Sequence, residues 1–208
     1  MWHVTKDCNG VSATELQRLL GLGSYRTAWA VLHKLRRAMA PHIVHDQLRG
    51  VVEVRHTCWG RDEGVADNNV LIVVAAEEGG IGLGRIRLRC VPDLERTTLH
   101  GFIAQSIASG SKVRTDGLEA YRGIAGYVHD WQTNRRYEVD RVVWSLKCWL
   151  LAIHQGSVSR RHLDSYLDEF TFRFDRRPFQ HPGSLFHNLI RQAVQVEPVT
   201  FDSLTSAH

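Results

Sequence analysis

The spacing of apolar residues changes twice along the chain, and each change predicts a different kind of element. From residue 12 to residue 39 the spacing is helical. Ser12 followed by Glu15 forms a capping-box pattern ahead of a helix ending near Leu20. Gly21-Leu22-Gly23 interrupts it, and Ser24 can cap a second helix over 25–39, in which Ala28, Leu32, Leu35 and Met39 share a stripe. Trp29, Lys34, Arg36 and Arg37 fall partly on the other side, and Pro41 closes the unit. From residue 51 the pattern becomes that of strands. Residues 51–58 read as a strand and the apolar run 70–76 as a buried one, while 86–91 alternate apolar and basic positions, as a half-exposed strand does. The glycine-rich stretch 77–84 joins two of these runs. Its spacing is not that of a phosphate-binding loop and no helix follows it, so it is read as a hairpin connection. A helix follows over 94–108, with Leu99, Phe102, Ile103 and Ile107 on its apolar face. Then come a short strand over 112–116, a helical turn over 120–124, and a further strand led in by 126–129. Past a polar stretch over 131–136, helices are expected over 139–153, 159–172 and 183–194.

This order predicts an α/β fold, with an antiparallel meander feeding a mixed sheet flanked by helices. The RNase H-like fold has that order of elements, although other folds share the count. The first 45 residues read as a helix-turn-helix-like element that precedes the sheet, or equally as a packed helical hairpin with a solvated basic face.

Composition narrows the class. The chain has 208 residues, 43% hydrophobic and 23% charged, ordinary for a soluble globular protein. No apolar run is long enough to span a membrane, and residues 1–7 lack a signal-peptide pattern, so a cytoplasmic protein without a membrane partner is expected. The net charge of +4 permits a polyanionic partner without requiring one. Basic residues gather at 34–37 and 173–177, and the second group is read as a solvated charge run before a nucleic-acid contact. Cys8, Cys58, Cys90 and Cys148 form no C-x-x-C pair, so no zinc ribbon lies within these residues and free thiols are expected.

Three residues could do chemistry together. Asp116 ends a short strand just before Gly117, Asp140 lies at the start of a long helix, and Lys147 follows two helical turns later on the same side. Two carboxylates that hold a divalent ion, with a lysine that holds a phosphate, suit phosphodiester chemistry. Each residue also has a structural reading: Asp-Gly is a common turn, an acid favours a helix N-terminus, and the lysine could be a solvated helix residue.

Beyond these features, the chain resembles a known family over residues 10–204. The stretches that carry the resemblance are Gly-Val-Ser-Ala at 10–13, Leu-Gly-Ser-Tyr-Arg-Thr-Ala-Trp at 22–29, Leu-His-Lys-Leu-Arg-Arg-Ala-Met at 32–39 and Val-Glu-Val at 52–54. They continue with Gly-Ser-Lys-Val-Arg-Thr-Asp-Gly at 110–117, Gly-Tyr-Val-His at 126–129, Leu-Lys-Cys-Trp-Leu-Leu at 146–151, His-Gln-Gly at 154–156, and Tyr-Leu-Asp-Glu-Phe-Thr-Phe-Arg-Phe at 166–174 before Arg176-Arg177. This series is similar to the bacterial insertion-sequence transposases with an ISXO-like DDE domain. The resemblance implies an RNase H-like catalytic domain over 46–208, with the helical DNA-binding element over 1–45. It implies magnesium- or manganese-dependent cleavage and strand transfer at transposon ends, carried out by a homo-oligomer on DNA. Asp116 and Asp140 would hold metal, and Lys147 would hold phosphate. Tyr25, Arg26, Lys34, Arg36 and Arg37 would face DNA.

The chain departs from the family pattern at one decisive place. Relatives follow Val-Glu-Val with Asp-Glu, whose Asp is the first catalytic acid, whereas this chain has Arg55 and His56. Arginine cannot ligate a metal, and its permanent charge repels one. Glu53, about 7 Å away along the same strand face, is a poor substitute. The glycine pair after the strand is altered to Gly60-Arg61, and the relatives' zinc ribbon has no counterpart within these residues. The expectation is therefore a transposase-like protein with impaired chemistry. The alternative is a catalytically dead relative that binds DNA or a partner.

Overall fold

The computed structural model describes residues 1–6, 10–40, 47–60, 69–80, 82–131, 138–154, 158, 160–177 and 182–206. Cys8, Pro41, Arg61, the polar residues 132–136, Gln155, Gly156 and Ser159 lie outside the described residues. The chain divides into two compact units, Met1–Ala40 with Trp149–His208, and Pro41–Cys148.

The unit formed by Pro41–Cys148 is built on a mixed five-stranded sheet of order β3-β2-β1-β4-β5. The strands are β1 (Val51–Trp59), β2 (Val70–Glu78), β3 (Leu83–Val91), β4 (Lys112–Thr115) and β5 (Val128–Trp131). β1, β2 and β3 form an antiparallel meander, while β4 runs parallel to β1 and β5 parallel to β4. An antiparallel meander feeding a mixed sheet is the α/β arrangement that the order of elements predicts. The continuous apolar run in β2 follows from its place between two strands: Val73 and Ala75 are buried on one face, Ile72, Val74 and Ala76 on the other. On the first face Val73 and Ala75 join Val52, Val54 and Val113 of the neighbouring strands, in one core with Tyr121 and with Leu99, Phe102 and Ile103 of a helix (Arg96–Ser106) that follows β3. β3 does not show solvent at every basic position as expected. Arg87 is buried, while Arg85 is paired with Glu77 at 2.6 Å.

Eight α-helices lie among the described residues. In order they are α1 (Trp2–Lys6), α2 (Ala13–Leu20), α3 (Tyr25–Met39), then α4 (the Arg96–Ser106 helix), α5 (Val139–His154), α6 (Leu163–Asp175), α7 (Pro182–Ala193) and α8 (Phe201–Ser206). The division between the units falls within α5. The start of α5 is fixed from β1: the buried Glu53 carboxylate accepts the Val139 N–H at 3.0 Å, satisfying one of the unpaired donors of a helix N-terminus.

In the other unit, the Ser12 hydroxyl accepts the Glu15 N–H at 3.2 Å, and Gly21 ends α2 in the left-handed conformation. Leu16, Leu32, Leu35 and Met39 then bury against Phe172 and Leu189. The first forty residues therefore fold with residues 149–208, a grouping that differs from the expected separate element of residues 1–45. No described helix is long and apolar enough to cross a membrane. Cys58, Cys90 and Cys148 are free thiols.

Candidate active site

Asp116 leaves the end of β4 in a turn that its own side chain closes, because its Oδ1 accepts the Leu118 N–H at 3.2 Å. Thr115 reinforces the corner by donating to the Asp116 carbonyl at 3.0 Å, and its hydroxyl lies 2.8 Å from His129 Nε2. The second oxygen of Asp116 faces Arg55 on the neighbouring strand, with Nη1 donating to Oδ2 at 3.3 Å. Asp140, in the first turn of α5, accepts from Nε of the same arginine at 3.0 Å. Alternation along β1 explains the meeting. Glu53 and Arg55 share one face and reach residues 139 and 140 of α5, while Val52 and Val54 point into the core on the other face.

Around this ion-paired trio sit polar atoms that lack hydrogen-bond partners among the described residues. His56 Nδ1 is 3.7 Å from Asp116 Oδ2, too far for a hydrogen bond, and is buried without a partner. The Tyr121 hydroxyl is likewise buried and without a partner. Burial, reinforced by the Asp116 carboxylate, pushes the Tyr121 phenol well above its ordinary range. Lys147 is half-buried two turns beyond Asp140 and forms no ion pair with Asp116 or Asp140.

Residues 48–175 match the ISXO2-like transposase domain. The chain belongs to that family. No curated protein is similar enough in sequence to count as a match. Among solved structures, the catalytic core domain of BIV integrase is similar at 15% identity and a TM-score of 0.41, over 62% of this chain and 98% of that one.

In this ISXO2-like transposase domain, the sheet brings Asp116 and Asp140 to one place and puts a guanidinium between them. Family members of this kind generally use divalent metals, and the residues here do not fit one. Among the described residues no three His, Cys, Asp or Glu side chains converge as metal ligands. The nearest donor after the two acids is His56, and the position between the acids holds a permanent positive charge. Glu53 does not make up the set, because its carboxylate is engaged at the start of α5.

The family match begins after the first helices, so it does not bear on the residues expected to face DNA. Tyr25, Arg26, Lys34 and Arg37 are exposed on α3, with the Arg26 guanidinium 4.0 Å over the Phe201 ring. Arg36 is a correction. Only 2% exposed, it donates from Nε to Glu169 at 2.7 Å and lies over the Tyr166 ring, so it holds the interior and is not open to DNA. Glu169 is also bonded by Arg173, whose Nη2 donates to it at 2.7 Å. Burial alone would raise the Glu169 carboxyl, but Arg36 and Arg173 hold it at about 2. The basic group 173–177 is therefore not a plain solvated run. Arg173 is buried, and Arg176 and Arg177 lie over the Phe172 and Phe174 rings. Sequence reading missed this charge cluster, although charged residues inside apolar stripes on both α3 and α6 are its signature.

Proposed function

We propose that this transposase-family chain binds DNA at the ends of a mobile element with its cleavage chemistry arrested. The observation that supports the arrest is the Arg55 guanidinium, 3.0 Å from Asp140 and 3.3 Å from Asp116. It pairs with both acids that would otherwise hold magnesium or manganese and offsets one of their two charges, and it stands where a cation would have to enter. Exposed Tyr25, Arg26, Lys34 and Arg37 on the helix-turn-helix carry the DNA contacts in this reading, with Lys147 as a further phosphate contact. Transposition joins paired ends, so the reading includes a homo-oligomer on DNA, acting in the bacterial cytoplasm.

Two assays test it. The chain is expected to bind duplex DNA with an affinity that falls steeply with salt, as counterion release requires. It is expected not to nick supercoiled DNA in magnesium or manganese, while Arg55→Asp gains metal-dependent nicking that a further Asp116→Ala change removes. Nicking by the unmodified chain that Asp116→Ala abolishes would overturn the arrest. Absence of DNA binding at low salt would overturn the whole reading.

A further inference from the structure

Within the unit formed by Met1–Ala40 and Trp149–His208 lies a cavity of about 670 Å³, far from small for a ligand pocket. Its walls come from α2, α3 and α6, with Ile153 of α5. Tyr25 and Trp29 stand four residues apart on α3 and therefore on one face of it. The Trp29 ring lies against His33 at 4.0 Å, tilted by 38°, and meets His162 edge-on at 5.1 Å. Tyr166 forms another wall, and the buried Arg36 guanidinium lies 4.1 Å over its ring while Glu169 grips it. Tyr25 differs from these groups: its ring is 52% exposed. At the rim, Glu15 and Arg18 are three residues apart on α2, and both are exposed.

Flat aromatic walls, one open ring, a carboxylate and a cation together match the parts of a nucleotide. Every base has a face that stacks on an aromatic ring. A carboxylate accepts from the amino group of adenine, cytosine or guanine, and thymine has none to offer. It also disfavours a bare phosphate at that wall, leaving the phosphate to the arginine at the rim. We propose that this cavity receives one unstacked nucleobase of the bound DNA. Tyr25 stacks on the base, Glu15 accepts its amino group, and Arg18 meets the adjoining phosphate. The inference rests on the DNA-binding reading above.

The test uses the full chain and two duplexes of equal charge. One carries a three-nucleotide adenine overhang and the other carries the same overhang without bases, and binding is read by fluorescence anisotropy. The adenine overhang is expected to bind about tenfold more tightly, and 2-aminopurine placed in it is expected to lose fluorescence on binding. Tyr25→Ala, a change at an exposed ring, is expected to bring the ratio of the two affinities to about one. Glu15→Ala is expected to remove the preference for an adenine over a thymine overhang. Equal affinity for the adenine and baseless overhangs would overturn the nucleobase pocket and leave DNA binding standing. So would a preference that survives Tyr25→Ala in a variant with unchanged circular dichroism. Failure of both duplexes to bind would overturn the DNA-binding reading and the pocket with it.

Discussion

Asp116 and Asp140 bring two negative charges to one corner of the sheet, and the Arg55 side chain reaches both. Because the three side chains are 20–46% exposed, water screens the attraction. Removing the guanidinium is expected to destabilise the folded chain by only about 1 kcal/mol. The larger effect expected is on cations. In thermal melts, added magnesium is expected to leave the unmodified chain unchanged and to raise the melting temperature of Arg55→Ala, where two unshielded acids gain a divalent partner. An equal response from both proteins would mean that Arg55 is not what keeps metal out. A second residue-scale contrast lies between two glycines with positive φ. A Cβ on Gly10 (φ +87) would come within 2.9 Å of Glu169 Oε1 and 3.0 Å of Arg173 Nη2, whereas a Cβ on Gly21 (φ +61) meets nothing within 4 Å. Gly21→Ala pays only the left-handed backbone cost, about 1 kcal/mol. Gly10→Ala also has to displace a buried ion pair, and about 3 kcal/mol is expected. Urea midpoints that fail to rank the two variants in this order would contradict the geometry.

On the scale of elements, α3 and α6 are joined by a charge cluster inside an apolar seam. The Arg36–Glu169–Arg173 arrangement is not by itself a source of large net stability, because three charges have left water. Breaking it unevenly is costly. Glu169→Gln leaves two buried guanidinium groups facing a neutral amide, and a loss of about 3–5 kcal/mol is expected. The same carboxylate sets an acid limit. Its folded value of about 2 lies below the ordinary 4.5, so its contribution is complete above 4.5 and is lost as pH falls from there toward 2. Burial, with Arg161 and Arg36 adding to it, lowers His162 from 6.5, so that group also weakens the fold as pH drops below 6.5. Urea titrations from pH 7 to 3 are expected to show falling stability, with the lower step smaller in Glu169→Gln because Glu77 and Asp130, also lowered by their cationic partners, still contribute; a step of unchanged size there would assign it to other carboxylates. These elements also show what a sequence can reveal. Continuous or alternating apolar runs mark β1 to β4 to within a few residues, because a strand buried on one or both faces must repeat every residue or every second one. The five-residue α1 and six-residue α8 are too short to show a helical period. The pairing of Asp116 with Asp140 follows from family spacing. The burial of Arg36 does not, because its partner lies 133 residues away and only the fold brings them together.

At the scale of the whole molecule, both chain ends belong to one unit while the sheet is continuous in sequence. A helix-turn-helix that reads as a separate element along the chain therefore lacks a complete core of its own. Leu32, Leu35 and Met39 complete their burial with Phe172 and Leu189, and Arg36 finds its counter-charge only on α6. Cut from the rest, a peptide of residues 1–45 would expose those side chains to water and strand a buried cation, and helices of five, eight and fifteen residues have little intrinsic stability to offset this. Such a peptide is expected to give a largely unfolded circular dichroism spectrum, and mixing with residues 149–208 is expected to restore helix, because the missing half of the core and Glu169 then return. Glu169→Gln in the second peptide should weaken that recovery. A cooperative thermal transition from residues 1–45 alone would show that the N-terminal helices are self-sufficient and that their packing on α6 and α7 is incidental.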